Sequence, residues 1–230
     1  MSIVIKAPSG GGSISLDTQQ SVTGDHTLQL PTGVGTADQV LKNGSTPGTL
    51  EFAQPKAQPG QVIEKISSIC NGSSVTVGSG TYTMPNVTTN QDITYVNYVD
   101  VDGSSLAYTP PSNASTVIYE FHVHGHYSSS GQIICHFKFF LDNTEVTCKR
   151  SSFYPGYDNV FVIKIPLSLN NATEDIANGK VGSWTSSKTM KLQCRSYSSY
   201  YQVSLHRHYH WDGAGSYQLV KPVLDITSIA

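Results

Sequence analysis

From about residue 62 onward, apolar and polar positions alternate with a period of two, in runs of Val, Ile, Tyr, Phe and Thr bounded by turn residues. The alternation predicts strands at 62–70, 74–77, 81–84, 93–98, 105–108, 117–127, 132–141, 160–165, 189–195, 201–211 and 218–229. No window carries an apolar stripe at helical spacing with caps, and only 172–178 reads as a helical turn. Many short strands separated by Gly and Pro turns predict an all-β chain: an antiparallel β-sandwich, jelly-roll-like, rather than a parallel α/β sheet.

Two of these strands display their faces plainly. In TVIYEFHVHGHY, Val117, Tyr119, Phe121, Val123 and Tyr127 share one side, and Ile118, Glu120, His122, His124 and His126 share the other. In QIICHFKFFL, Ile133, Cys135, Phe137, Phe139 and Leu141 oppose Ile134, His136, Lys138 and Phe140. The Ser-Ser-Ser-Gly stretch between them predicts a hairpin whose core faces coincide. His136 then lies opposite His122 or His124, and the first register also sets Glu120 beside Lys138. The strand at 201–211 repeats the device, with Tyr201, Val203, Leu205, Tyr209 and Trp211 inward and His206, His208 and His210 outward with Asp212.

Seven histidines are therefore expected on outward faces: His122, His124, His126, His136, His206, His208 and His210. Alternate positions on a strand lie about 6.5 to 7 Å apart, so two rings meet on one ion only with bent side chains, or rings from several chains meet around an axis. Neutral imidazole is a common ligand of zinc, iron and nickel, which makes a transition metal one reading of the set. Packing against a neighbouring subunit, with no cofactor, is the other. Protonation of the rings offers a third, pH sensing.

The first 60 residues differ. Gly and Pro are concentrated there, and Phe52 is the sole Phe, Tyr or Trp. Such a stretch cannot bury a core of its own. Short alternating pieces around Ile14, Leu16, Leu28 and Leu30 need other copies of the chain to pair with. The run AQPKAQPGQ reads as an extended linker. The expected organisation is an anchoring segment over 1–52, a linker over 53–61 and a sandwich head over 62–230.

Composition narrows the function. Of 230 residues, 13% are charged, while 30 Ser and 21 Thr supply polarity without charge. With Lys+Arg 14 against Asp+Glu 16 there is no basic field for phosphates or an anionic bilayer, so neither nucleic acid nor membrane insertion is expected. The start, MSIVIKAPSGGG, lacks the features of a signal peptide, and the expectation is assembly in a cytoplasm. Cys70, Cys135, Cys148 and Cys194 show no metal or disulfide spacing and are read as reduced thiols. No GxSxG, HExxH, P-loop or dinucleotide fingerprint occurs. Acidic residues fall mostly in turn contexts such as Asp100-Val-Asp102-Gly103, which is read as a turn rather than a calcium loop, and no enzyme is expected.

The opening segment resembles the amino-terminal module of fibre and tail-fibre-like structural proteins of tailed bacteriophages, marine ones especially. The matching features are Gly12-Ser13-Ile14, Leu28-Gln29-Leu30-Pro31, the Gly35 and Asp38-Gln39-Val40-Leu41 block, and Gly48-Thr49-Leu50-Glu51-Phe52. Tyr108-Thr109-Pro110-Pro111 leading into Ala114 to Phe121 is similar to the heads of such proteins. The resemblance implies a virion protein: a homotrimer whose N-terminal segment, through Ile14, Leu16, Leu28, Leu30, Val40 and Leu41, attaches to other virion proteins of tail or capsid, with a β head facing a host-surface receptor. It also implies iron held by His-x-His pairs around a threefold axis. Tail fibre is the leading reading. A capsid decoration or head fibre is the alternative, and a tail-borne polysaccharide depolymerase the alternative of another class.

Overall fold

The computed structural model describes residues 3–6, 13–16, 29–46, 48–127, 133–154, 158–209 and 216–230. It divides into two units, Met1–Lys56 and Ala57–Ala230.

The first unit consists of two hairpins. Strand β1 (Ile3–Lys6) pairs antiparallel with β2 (Ser13–Leu16), setting Ile3 opposite Leu16 and Ile5 opposite Ile14. Strand β3 (Val40–Asn43) pairs with β4 (Leu50–Ala53), with Leu41 opposite Phe52 and a 3.0 Å ion pair between Lys42 and Glu51. Not one described residue between Gln29 and Lys56 is buried. Leu30, Val34, Val40, Leu41 and Phe52 are all exposed. Leu28 lies outside the described residues.

The second unit is an antiparallel β-sandwich of jelly-roll-like form. Its strands are β5 (Val62–Ile69), β6 (Ser74–Val77), β7 (Gly80–Thr83), β8 (Gln91–Ile93), β9 (Val99–Asp100), β10 (Leu106–Tyr108), β11 (Thr116–Tyr127), β12 (Cys135–Leu141), β13 (Thr144–Glu145) and β14 (Ser151–Phe153). They continue with β15 (Asp158–Ser168), β16 (Lys188–Ser196), β17 (Val203–Leu205), β18 (Arg207–His208), β19 (Gln218–Leu219) and β20 (Val223–Ile229). Two 3-10 turns, Thr147–Lys149 and Ile176–Asn178, are the helical elements among the described residues.

One sheet is built around β11. Strand β15 pairs with it from Thr116↔Ser168 to His126↔Asp158, while β20 pairs with its Thr116–His122 part and β17 with Gly125 to Tyr127. Strands β5 and β8 extend the sheet beyond β20 and β17. The other sheet is built around β12 and β16, with β10, β9, β13 and β14 along their outer edges. The core lies between the sheets and follows the alternation: Tyr119, Phe121, Phe137, Phe139, Phe161 and Ile165 are at most 2% exposed. Tyr119 meets Phe139 with ring centroids 5.0 Å apart, and Phe137 meets Phe161 at 5.8 Å. Pro166 is tolerated within β15 because at that position the strand pairs with β11 alone among the described strands.

Two sequence expectations are corrected here. Strands β11 and β12 do not form a hairpin; they belong to opposite sheets, and their apolar faces meet across the interior. His136 therefore lies opposite Arg195 and Ser152 rather than His122 or His124, and Lys138 opposite Gln193 rather than Glu120. Two adjacent strands with such bulky apolar faces would each still need a covering layer, whereas facing one another they supply it. The second correction concerns 201–211, which is not one strand. His206 takes φ +62°, which ends β17, and the chain restarts as β18. Likewise 218–229 splits into β19 and β20 around Lys221-Pro222, since proline cannot donate to a ladder.

Candidate functional site

The outward face of the β11 sheet carries the densest chemistry. Its side chains fall in rows set by register. One row runs Val162, His122, Val223, Ile69 across β15, β11, β20 and β5; the next runs Lys164, Glu120, Asp225, Ser67. Val162 and Ile69 in these rows are exposed, as is Val160 opposite His124, so charged and imidazole groups are framed by bare aliphatic side chains.

Glu120 is the hub. Its Oε1 lies 2.7 Å from His122 Nε2 and its Oε2 3.1 Å from Lys164 Nζ. These contacts, His122 first, hold the carboxyl below the usual range for glutamate. Asp225 sits directly across the ladder from Glu120. Its Oδ1 is buried and accepts no hydrogen bond from the described residues. Glu120, His122 and Asp225 each offer a ligand atom, and these atoms lie within 4.8 Å of one another, an arrangement able to hold a metal ion.

The other histidines expected to face outward scatter. His124 lies edge-on to His208, with centroids 5.8 Å apart. His126 has the expected parity but is buried, covered by Tyr127, Tyr209 and Tyr217 at 4.4, 5.7 and 5.4 Å. His206 is wholly buried because the left-handed turn of its backbone points the ring inward. His136 lies on the opposite sheet, 2.6 Å from Ser152 Oγ. Burial, then the nearby Arg195, holds its ring below the usual imidazole range. His210 lies outside the described residues. Of the seven, only His122 joins a cluster of metal-capable groups among the described residues.

Its two partners were legible unequally. Glu120 stands in a strand beside His122 in sequence. Asp225 falls within the predicted 218–229 strand, yet its adjacency to Glu120 is a fact of register between distant segments. Opposite charge on neighbouring strands is the signal that could have found Lys164, since KIP in FVIKIP places it outward.

No family model and no curated protein matches the sequence. Solved structures align with it weakly. A structure of infectious bursal disease virus, Gx strain, is 10% identical over 84% of this chain and 42% of its own, with a TM-score of 0.33. The Nora virus structure is 12% identical over 94% and 91%, at 0.26. The vertex protein of PRD1 is 6% identical over 99% and 100%, at 0.27. The chain spans less than half the length of the bursal disease virus chain. The tail-fibre expectation is corrected all the same: the structures named here are of infectious bursal disease virus, Nora virus and the PRD1 vertex protein, and none of them is a tail fibre.

Proposed function

We propose that the chain is a non-catalytic structural protein of a virus particle, of the capsid decoration or head type, fastened to other virion proteins by its N-terminal unit and displaying the β-sandwich. It is the shell reading that stands once the tail is set aside. One observation carries it: between Gln29 and Lys56 no described residue is buried, although Leu30, Val40, Leu41 and Phe52 are apolar. Two-stranded hairpins with bare apolar side chains are not stable alone in water and gain their burial from other chains. Copies associate as homotrimers in this reading, and the low-charge, hydroxyl-rich sandwich is left free for a host-surface receptor.

Cryo-electron microscopy of particles carrying this protein tests the proposal. Density for the sandwich on the capsid lattice is the expected result, and Leu41→Asp with Phe52→Asp in the full chain should strip it from the shell. Particles that lack the protein, or a double variant that stays bound at full occupancy, would count against it. Sedimentation equilibrium of the free protein checks the trimer.

A further inference from the structure

We propose that Glu120, His122 and Asp225 bind one divalent transition-metal ion on the outward face of the β11 sheet. The inference is independent of the particle reading above.

The register sets two carboxylates directly opposite each other, Glu120 on β11 and Asp225 on β20. Like charges in that position repel. Glu120 is relieved on its other side by Lys164 on β15 and by His122 two residues along its own strand. Asp225 has no such relief. Among the described residues no Lys or Arg nitrogen is paired with it, and its Oδ1 is buried with no donor. Lys65, the nearest cation along the β5 side of the ladder, stands opposite Thr227 and forms no ion pair with Asp225. A buried acceptor left unmade is costly, and such groups ask for a missing partner. The missing partner here is positive.

The three ligand atoms lie within 4.8 Å of one another. An ion with ligand bonds of about 2.1 Å spaces its ligands about 3 to 4 Å apart, so small side-chain rotations close the set. The ion takes the place of the proton shared by His122 Nε2 and Glu120 Oε1, while Lys164 keeps Oε2. Two carboxylates balance the charge of a dication. The imidazole nitrogen favours zinc, cobalt or nickel over calcium and magnesium, which prefer all-oxygen sites. Three protein ligands on a half-exposed face leave the remaining positions to water.

The test is calorimetric titration of Zn²⁺ into the full chain, free of any affinity tag and stripped with chelator, with Co²⁺ absorption as a second readout. One equivalent per chain is expected, weakened roughly tenfold or more by His122→Ala and by Asp225→Asn. His136→Ala, on the opposite sheet, should bind as the parent does. Asp225→Asn is nearly isosteric and keeps the comparison open if His122→Ala fails to fold. No zinc uptake up to about 1 mM overturns the site. So does uptake that survives Asp225→Asn unchanged, that disappears in His136→Ala, or that Mg²⁺ matches in affinity.

Discussion

The Tyr108 hydroxyl donates a 2.7 Å hydrogen bond to Glu64 Oε1, joining β10 of one sheet to β5 of the other through the interior of the sandwich. Glu64 is 6% exposed and also accepts from the Ser79 amide at 2.8 Å and the Ser79 hydroxyl at 2.6 Å. Ser228 on β20 lies 2.7 Å from the Tyr108 oxygen, and the Trp184 indole donates to the Tyr108 carbonyl at 3.1 Å. A buried carboxylate is tolerable when donors surround it, as they do here. Burial, foremost, and the neighbouring Glu64 raise the Tyr108 phenol well above its usual range, which keeps it a donor.

Tyr108→Phe removes one of those donors and leaves the Ser228 hydroxyl without its partner. The expected cost is about 1 to 3 kcal/mol, read as a lower urea midpoint with unchanged slope. Glu64→Gln should cost a similar amount, because its amide nitrogen would face donors. The double variant should lose less than the sum of the two single losses, since both remove the same bond.

Gly125 sits in β11 where a methyl group would run into the Phe161 ring and press on Val203. The glycine is there for space. Gly125→Ala forces Phe161 out of its contacts with Phe137 and Phe153 and should cost about 1 to 3 kcal/mol. Gly33→Ala, which meets nothing within 4 Å, is the control and should leave the denaturation midpoint where it is.

Alternation made the strands legible because it directly reports burial on one face. Phe121, Phe137 and Phe139 lie in the core as the period of two requires, and Val160, Val162 and Lys164 lie outside it. Pairing was not legible. Strand β12 reads as an equally good neighbour or opposite face of β11, and only the competition of β15 and β20 for the two edges of β11 decides between them. The candidate site inherits that gap. Glu120 and His122 belong to one strand and could be named together, but Asp225 joins them through register. Parity also assigned His126 to the outside, correctly as a face, without showing that Tyr209 and Tyr217 would cover it. At His206 the local backbone overrode the period altogether.

The thiols divide by burial. Cys70, Cys135 and Cys194 are buried, and Cys148 is exposed. Burial pushes the Cys70 thiol up to about 12, and its S–H donates to the Gly103 carbonyl at 3.3 Å. Since the thiolate is the reactive form, a disulfide reagent such as DTNB at pH 8 should titrate one thiol in the folded protein and all four in denaturant. Cys148→Ser should abolish the native signal. Rapid reaction of two or more thiols without denaturant would show that the sandwich opens readily.

His206 links stability to pH. The ring is fully buried, and burial, opposed by the Asp102 backbone, depresses its pKa to about 4. In the unfolded chain the same ring titrates near 6.5. Between those values the unfolded state binds the extra proton, so acidification favours unfolding. The contribution is complete above pH 6.5 and is lost as pH falls toward 4, about 3 kcal/mol over the whole window. Asparagine accepts the left-handed backbone of this position and does not titrate. His206→Asn should therefore be less steeply destabilised than the parent between pH 7 and pH 4.5, by about 2 kcal/mol, whatever its stability at neutral pH. Denaturant titrations of both proteins at the two pH values measure the difference. Equal losses would mean that the folded protein does not hold the His206 ring neutral.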